Sequence, residues 1–398
     1  MVRRDMVALV RSVAATRPAL FVAGPRQSGK STLLRMALPD HLYVTLDRPA
    51  NAELAEEAGE EFLRRYPPPV IIDEVQYAPT FFRHLKAEID ENRTTFGRFA
   101  LTGSQVFPLF EKATESLAGR ISILNLNSFS LHEMETGLGK TAEGDQLMEW
   151  MLLGGYPEIH AFGISPDRFY AEYVNTLLDR DVRHVLNVRN VRDFDRFLRL
   201  LASRTGQLLD ITSLASDLGM SPNTVKSWLS VLAATGLIRF LEPFYRNYGK
   251  RIVKSPKLYF MDTGLVCYLT GIRTVRELRD SVFIGAIFET LALGQLVRSF
   301  IHMGETPDIY FYRDHSGREV DFLIPRGEKL ELFECKLAEE APSQVPGFKA
   351  LEAIAGPENI ASKVLLTPVR GARHLESRGF TVRGLVDPRG NYPAMAAE

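Results

Sequence analysis

The chain has 398 residues, of which 45% are apolar and 24% charged; this composition excludes a disordered polypeptide, and the length exceeds a single ordinary core. The formal net charge of −1 excludes a protein that coats nucleic acid by charge alone, so any such contact needs a local basic patch. Two cysteines (Cys267 and Cys335), no signal-peptide pattern and no run of about 18 uncharged apolar residues predict a cytoplasmic protein without a membrane span.

Short apolar runs alternate with helical patterns in the first third of the chain. The runs lack polar alternation, which is typical of parallel strands covered by helices on both faces. We therefore expect an α/β domain over residues 1–135. Its candidate strands are Ala19–Ala23, Leu42–Leu46, Val70–Ile72, Phe99–Thr102 and Ile121–Leu126.

The rest of the chain changes character several times. A helical pattern is interrupted at Gly154–Pro157, and a helix at about Ile284–Phe300 precedes three strand-like runs. The runs are Ile309–Arg313, Glu319–Ile324 and Leu330–Lys336. The expected units are a helical connector (136–205), a winged-helix unit (206–270), an α/β unit (280–370) and a C-terminal tail (371–398).

A phosphate-binding motif follows the first predicted strand. The segment has the form G-x-x-x-x-G-K-[ST] and leads into a helix, the context in which backbone N–H groups point at phosphates. Lys30 suits the β- and γ-phosphates, and the Ser31 hydroxyl suits Mg²⁺. We expect ATP and Mg²⁺ as ligands. The candidate nucleotide-binding residues are Gly24, Pro25, Arg26, Gln27, Ser28, Gly29, Lys30, Ser31 and Thr32.

Two acidic residues end the third predicted strand. Asp73 stands where it can reach the Mg²⁺ held by Ser31, directly or through water. Glu74 then faces the γ-phosphate and can orient or deprotonate the attacking water. A helix cap or surface charge is the alternative for such a pair, and the nearby phosphate-binding motif makes it less attractive.

Two further residues can complete the site. Ser104, after the fourth strand, can hydrogen-bond the attacking water, although a Ser/Gly turn explains it as well. Arg120, before the fifth strand, can act as an arginine finger in its own subunit or in a neighbour's, which would require a homo-oligomer. An ordinary salt-bridging arginine remains the alternative.

These motifs resemble the AAA+ superfamily. More narrowly, the chain resembles uncharacterised bacterial and archaeal P-loop ATPases with a fused C-terminal domain, whose middle signature Lys254–Leu265 matches. The resemblance covers about residues 5–370. It implies sheet order 5-1-4-3-2, with the site at the carboxyl ends of the strands.

A helix-turn-helix pattern lies in the predicted winged-helix unit. Ile211–Leu218 and Pro222–Thr235 read as helices joined by a turn, with Ser221 as N-cap. A buried stripe of Val225, Trp228, Leu229 and Leu232 would leave Asn223 and Lys226 on the outer face. Basic residues follow, interleaved with aromatic ones: Arg239, Arg246, Lys250, Arg251, Lys254 and Lys257. DNA contact through Asn223, Lys226, Lys250 and Arg251 is one interpretation, and a structural or protein-docking module is the other.

The last predicted strands carry a second acidic pattern. Asp321 and Glu334 can hold Mg²⁺ beside Lys336 if register brings them together, with Glu289 on the preceding helix as a third carboxylate. The pattern resembles the PD-(D/E)xK nuclease fold, although Val320 replaces its proline. An edge hairpin with solvated charges is the alternative.

Two hypotheses follow for the whole chain. In the first, an ATPase couples its nucleotide state to a winged helix and a nuclease-like half that acts on DNA. In the second, the chain is an ATP-gated switch or scaffold whose nuclease-like half is inactive and binds protein partners.

Overall fold

The structure is a computed structural model that describes residues 2–103, 117, 119–177, 191–244, 254–338, 341–375 and 378–390. The described part contains two β-sheets. Elements are numbered within these residues.

The first sheet has the order β2-β3-β4-β1-β5, with all strands parallel, which matches the expected 5-1-4-3-2. Its strands are β1 (Ala19–Ala23), β2 (Leu42–Thr45), β3 (Val70–Asp73), β4 (Phe99–Gly103) and β5 (Ile121–Asn125). The helices are α1 (Val7–Ala14), α2 (Lys30–Ala37), α3 (Pro49–Glu57), α4 (Gly59–Arg65) and α5 (Phe81–Glu91).

Burial differs between the centre and the edges of this sheet. The strands β1, β3 and β4 are buried along their whole length, because α1 and α2 cover one face and α4 and α5 the other. The expectation of full cover is wrong for the edge strands, where Leu42 is 49% and Ile123 42% exposed. Edge positions extend beyond the covering helices.

Helices follow the first sheet. They are α6 (Leu131–Leu138), α7 (Gly144–Leu153), α8 (Pro157–Phe162), α9 (Pro166–Thr176) and α10 (Val191–Ala202). The break at Gly154 has a backbone reason: φ is 74°, and an added Cβ would lie 2.1 Å from Asp262 Oδ1. Only glycine fits both constraints.

The helix-turn-helix has the predicted bounds within one residue. Ser221 accepts a hydrogen bond from the Thr224 N–H at 3.1 Å, Val225 and Leu232 are fully buried, and Asn223 and Lys226 are exposed. A three-stranded segment surrounds the pair. These elements are β6 (Gln207–Leu208), α11 (Ile211–Leu218), α12 (Pro222–Ala234), β7 (Ile238–Pro243) and β8 (Lys257–Phe260).

The C-terminal half continues the sheet that β6–β8 begin. The helices are α13 (Thr263–Thr270), α14 (Val275–Asp280), α15 (Ile284–His302) and α16 (Pro346–Ala355). The strands are β9 (Tyr310–Arg313), β10 (Glu319–Arg326), β11 (Lys329–Cys335), β12 (Ile360–Leu366), β13 (Ala372–Leu375) and β14 (Phe380–Arg383). The sheet order is β13-β14-β12-β11-β10-β9-β7-β8-β6, so the two predicted units share one sheet across the β7–β9 pairing.

The prediction of a C-terminal tail over residues 371–398 is wrong for the first part of that range. Residues from Ala372 form β13 and β14, because Phe380 and Val382 are buried against the α16 side of the sheet. Arg389 also packs 3.8 Å from the centre of the Phe300 ring. These contacts fix the chain as far as Gly390.

The helix α15 is long and apolar enough to cross a membrane, judged by length and composition alone. Burial inside the protein covers 72% of its most apolar window, as in the core helix of a folded domain. Its polar side chains bind other elements: Gln295 accepts from the Leu131 N–H at 2.9 Å, and Arg298 donates to the Ser128 carbonyl at 3.0 Å.

Asp262, in the middle signature, joins several elements beside the phosphate-binding loop. Its buried carboxylate accepts hydrogen bonds from the Ser128 hydroxyl (3.0 Å), the Gly155 N–H (2.9 Å) and the Tyr170 hydroxyl (2.7 Å). It also caps α13 through the Gly264 N–H. One carboxylate therefore ties the end of the first domain to the helical and C-terminal parts.

Candidate nucleotide site and second acidic cluster

The phosphate-binding loop joins β1 to α2 in a conformation that its glycines permit. Gly24 has φ of 151°, and an added Cβ would lie 2.0 Å from the Leu126 carbonyl oxygen. Gly29 has φ of 91° at the N-cap of α2. Gln27 also has a positive φ of 58°, an uncommon value outside glycine that is often found at ligand sites.

Donors within the loop fit a phosphate. Ser28 is fully buried, and its hydroxyl oxygen has no hydrogen-bond partner within the described residues. Lys30 is 6% exposed, and its ammonium donates to the carbonyls of Gly24 (3.2 Å) and Pro25 (3.1 Å). An unsatisfied buried hydroxyl and an ammonium held inside the loop are what an oxyanion would bind.

The expected magnesium ligands lie together. The Ser31 hydroxyl donates to Asp73 Oδ1 at 2.5 Å, across the carboxyl ends of β1 and β3. Asp73 is 5% exposed and also accepts from the Thr102 hydroxyl and, at 2.8 Å, from the Tyr43 hydroxyl. The residues present therefore fit Mg²⁺, because hydroxyl and carboxylate oxygens are its preferred protein ligands.

Tyr43 supports Asp73 from the exposed edge strand. Burial raises the pKa of Tyr43, and the hydrogen bond to Asp73 raises it further, so the phenol stays a neutral donor at physiological pH. The Arg35 guanidinium lies 5.2 Å from the centre of its ring. This arrangement fixes the orientation of the Asp73 carboxylate.

Glu74 occupies the next position with a strained backbone. Its φ of 57° lies in the left-handed region, its N–H donates to the Thr102 hydroxyl at 3.1 Å, and its carboxylate accepts from the Gln76 amide. The side chain lines a cavity of about 210 Å³ together with Arg26 and Gln27 of the loop. Glu74 thus lines the same cavity as two residues of the loop.

A buried arginine holds the loop from behind. Arg4 is 3% exposed; it donates to the Ser28 carbonyl at 2.7 Å and the Asn127 carbonyl at 2.8 Å, and pairs with the buried Glu133 at 2.8 Å. Neighbouring Asp5 lies 3.0 Å from His132 Nδ1 and 3.4 Å from His302 Nδ1. Residues 4–5 therefore form a strap between the loop, α6 and the end of α15.

Arg120 does not lie at this site within its own chain. It precedes Ile121, which pairs with Ala19 at the amino ends of β5 and β1, whereas the loop follows their carboxyl ends. Its guanidinium pairs with Asp90 at 2.6 Å. The interpretation as a finger in its own subunit is therefore corrected, because the length of β1 separates Arg120 from the loop. Ser104 lies outside the described residues.

The second acidic cluster lies between α15 and β10. Carboxylate oxygens of Glu289, Glu319 and Asp321 all lie within 4.8 Å of one another. The Lys257 ammonium enters the cluster from β8, 2.9 Å from Glu289 and paired with Glu319. Tyr259 also donates to Glu289.

Asp321 and Glu334 have different partners. Asp321 accepts from the Cys335 N–H at 2.8 Å, and Glu334 pairs with Lys336 at 2.9 Å, while its other oxygen is buried with no hydrogen-bond partner within the described residues. Burial and the charges of Glu289 and Glu334 raise the pKa of Asp321. Burial likewise raises the pKa of Glu334, against the lowering effect of Lys336. Within the described residues, the group of three carboxylates thus contains Glu319, for which the sequence analysis predicts no ligand role, and not Glu334.

Two of the basic residues that follow the helix-turn-helix lie inside the fold. Arg239 donates to the Pro307 carbonyl at 2.9 Å, burial lowers its pKa, and Lys257 is 2% exposed in the acidic cluster. These two side chains therefore do not belong to an outward basic surface, because the sheet buries that part of β7 and β8. Lys254 is exposed, and Arg246, Lys250 and Arg251 lie outside the described residues.

Comparisons with known proteins identify the family of the first domain. An AAA domain family matches residues 16–135, and domains of unknown function match residues 144–276 (DUF8612) and 284–383 (DUF4143). The chain is 30% identical over 337 residues to the uncharacterized protein Rv2008c of Mycobacterium tuberculosis, covering 84% of this chain and 74% of that protein. The chain belongs to the family of Rv2008c. The same values hold for Mb2031c of Mycobacterium bovis.

Solved structures resemble the chain more weakly. The Walker-type ATPase PABY2304 of Pyrococcus abyssi is 16% identical, with a TM-score of 0.44, over 68% of this chain and 96% of that one. The RuvB branch migration motor of Thermotoga maritima is 17% identical, with a TM-score of 0.32, over 60% and 89%. The family match and the loop geometry, not these likenesses, identify an ATP-binding AAA domain with a parallel α/β sheet.

Sequence patterns missed several residues of both sites. Arg4 and Tyr43 have no motif around them, and they reach their partners over 24 and 30 positions of the chain. Thr102 does carry a sequence signal, because it is a polar residue near the end of β4 and two positions before Ser104. Lys257 lies in the basic run and in the middle signature, and neither pattern indicates its contacts with the acidic cluster.

Proposed function

We propose that the chain hydrolyses ATP in the presence of Mg²⁺. The observation that carries this proposal is the 2.5 Å contact between the Ser31 hydroxyl and Asp73, beside a cavity that Glu74 lines together with Arg26 and Gln27 of the loop. Lys30 and the loop N–H groups would bind the phosphates, and Glu74 would orient and deprotonate the attacking water. Mg²⁺, held by Ser31 and Asp73, would offset charge on the phosphates.

Glu74→Gln tests this proposal because the amide keeps the shape and loses the base. We expect ATP affinity to stay within about threefold while turnover falls by about a hundredfold or more. Glu57→Gln, at an exposed position on α3, is a matched control for the loss of one carboxylate. Unchanged turnover in Glu74→Gln would refute the role of this residue.

We further propose that Arg120 acts in a neighbour's site. Its exposed pair with Asp90 at the amino edge of the sheet leaves the guanidinium able to reach another copy, so a homo-oligomer is part of this proposal. Turnover per subunit should then rise with protein concentration and fall in Arg120→Ala. A rate per subunit that does not depend on concentration contradicts it.

For the C-terminal half we propose action on DNA, coupled to the nucleotide state. Support comes from the exposed Asn223 and Lys226 on α12, and from the carboxylates of Asp321 and Glu334 beside Lys336. Lys250 and Arg251 would extend the contact. We expect Mg²⁺-dependent cleavage of DNA, and each of Asp321→Ala, Glu334→Ala and Lys336→Ala should abolish it. We also propose that the protein is cytoplasmic.

A specific contact favours the second candidate, an ATP-gated switch or scaffold with an inactive nuclease-like half. Lys257 already neutralises part of the acidic cluster, which weakens its attraction for a metal ion. Incubation of the protein with Mg²⁺, ATP and single- or double-stranded DNA and RNA separates the candidates. Absence of cleavage in every combination supports the switch.

A further inference from the structure

The acidic cluster contains a cationic side chain that comes from another part of the sheet. Lys257 lies on β8 and is 2% exposed, whereas Glu289 lies on α15 and Glu319 on β10. Its ammonium lies 2.9 Å from Glu289 and pairs with Glu319. A buried lysine is rare in proteins unless its charge is compensated.

The ammonium keeps its charge in this position. Burial by itself lowers the pKa of Lys257, but Glu289, Asp321 and Glu319 together outweigh burial and raise the pKa above its ordinary value. Tyr259, which donates to Glu289, stays neutral because burial and the Glu289 charge raise its pKa. Two carboxylates, those of Glu289 and Glu319, thus hold the Lys257 ammonium inside the cluster.

Charge in the cluster is already close to balanced. Four carboxylates face three cationic side chains, since Arg313 lies 3.2 Å from Glu319 and Lys336 lies 2.9 Å from Glu334. Oxygens of the three nearest carboxylates lie within 4.8 Å of one another, a spacing that also suits one divalent cation. Lys257 sits among these oxygens.

We infer that Lys257 is the resident cation of this cluster and competes with a divalent metal ion for the oxygens of Glu289 and Glu319. The inference deepens the proposed nuclease-like function, because it assigns a residue that regulates metal binding at the same site. A divalent ion binds well only when Lys257 leaves these oxygens. The cluster therefore has weak metal affinity in the resting protein.

Mn²⁺ titration of the full-length protein without nucleotide, followed by the electron paramagnetic resonance signal of free Mn²⁺, tests this inference. Lys257→Met should lower the dissociation constant by about tenfold or more, because one positive charge leaves the carboxylates. Lys257→Arg keeps the charge and should leave affinity near that of the native chain. Lys329→Met changes an exposed lysine at the start of β11 and is the matched control. It should leave Mn²⁺ affinity near that of the native chain.

Thermal unfolding adds a second readout. Lys257→Met leaves like charges facing one another, so its melting temperature should fall without metal and recover with Mn²⁺ more than that of the native chain. Where that variant does not fold, Lys257→Met/Glu319→Gln keeps the net charge, and its Mn²⁺ affinity should exceed that of Glu319→Gln alone.

Each outcome decides the inference. Unchanged or weaker Mn²⁺ binding in folded Lys257→Met, or tightening in Lys329→Met of the same size, overturns it. Tighter Mn²⁺ binding in Lys257→Met without any DNA cleavage supports it while contradicting the proposed nuclease activity. Cleavage by the native chain with no change of Mn²⁺ affinity in Lys257→Met leaves the proposed function intact and removes the inference.

Discussion

The two acidic sites of this chain use lysine in opposite ways. At the first site the Lys30 ammonium bonds to backbone carbonyls, and the Asp73 carboxylate bonds to neutral hydroxyls of Ser31, Thr102 and Tyr43. At the second site the Lys257 ammonium bonds to the carboxylates themselves. These contacts join each charged group to neutral groups in the first case and join opposite charges directly in the second. The first site therefore retains both an anion-binding and a cation-binding half, and the second retains little net charge.

Removal of each lysine tests this contrast most strongly. Lys30→Ala should lower ATP affinity or turnover by about a hundredfold or more, because no other described loop side chain supplies a buried cation to the phosphates. Lys257→Met should instead strengthen ligand binding at its own site. Binding of a fluorescent ATP analogue measures the first effect, with Lys349→Ala on α16 as control. A loss of ligand binding in both lysine variants contradicts the contrast.

The strap of Arg4 and Asp5 braces only the first site. Arg4→Met should lower the free energy of unfolding by about 3–5 kcal/mol, because it leaves the fully buried Glu133 without its cation. The double variant Arg4→Met/Glu133→Gln should lose less free energy of unfolding than Arg4→Met. Urea unfolding measures the loss in each variant. ATP affinity should fall with Arg4→Met even below the melting temperature, since the Ser28 carbonyl loses its donor. If Arg4→Met keeps the ATP affinity of the native chain, the role of Arg4 is structural and does not extend to nucleotide binding.

The stabilisation that Asp5 of the strap contributes should also depend on pH. The hydrogen bond to Asp5 raises the pKa of His132. The stabilisation that this pair gives the folded protein is therefore complete below the unfolded-state pKa of about 6.5, and it is lost as pH rises through the folded-state pKa. Burial would raise the pKa of Asp5, but hydrogen bonds from His132 and His302 lower it, so its contribution is lost only on strong acidification. Asp5→Asn should lower the melting temperature more at about pH 6 than at about pH 9. Equal losses at both values contradict the ion pair.

The smallest expected effect concerns Tyr43. Tyr43→Phe removes a donor to Asp73 on the exposed edge strand, and should raise the Mg²⁺ concentration for half-maximal ATP turnover by about fivefold. Tyr66→Phe, which removes a hydroxyl bonded to Asn51, is the control. A shift of the same size in both variants would show that Tyr43 has no special link to the metal.

Sequence patterns predicted the first site far better than the second. The loop from Gly24 to Ser31 is contiguous and its chemistry follows from its spacing, whereas the strand order follows from the family resemblance. Asp73 and Glu74 followed from the rule that parallel strands end at one edge. Those inferences needed only local sequence and the topology of a parallel sheet.

Contacts between distant segments escaped prediction. Arg4 pairs with Glu133 across 129 positions, and Lys257 meets Glu289 across 32, so neither contact leaves a local pattern. Lys257 was placed on a basic surface because charge in a sequence suggests exposure, whereas three carboxylates in the fold make its burial favourable. Arg120 was assigned from its motif, and the amino end of β5 puts it at the opposite edge.

The helix α15 has a practical consequence for dissecting this protein. It carries Glu289 in the second cluster, Gln295 and Arg298 against residues 128–131, and His302 against Asp5, over a length of about 28 Å. A fragment cut before residue 284 would lose all of these contacts and would expose the apolar surface that α15 covers. The shorter piece should aggregate or unfold, so truncation is a poor route to an isolated ATPase, and single substitutions in the full chain are the sounder experiment.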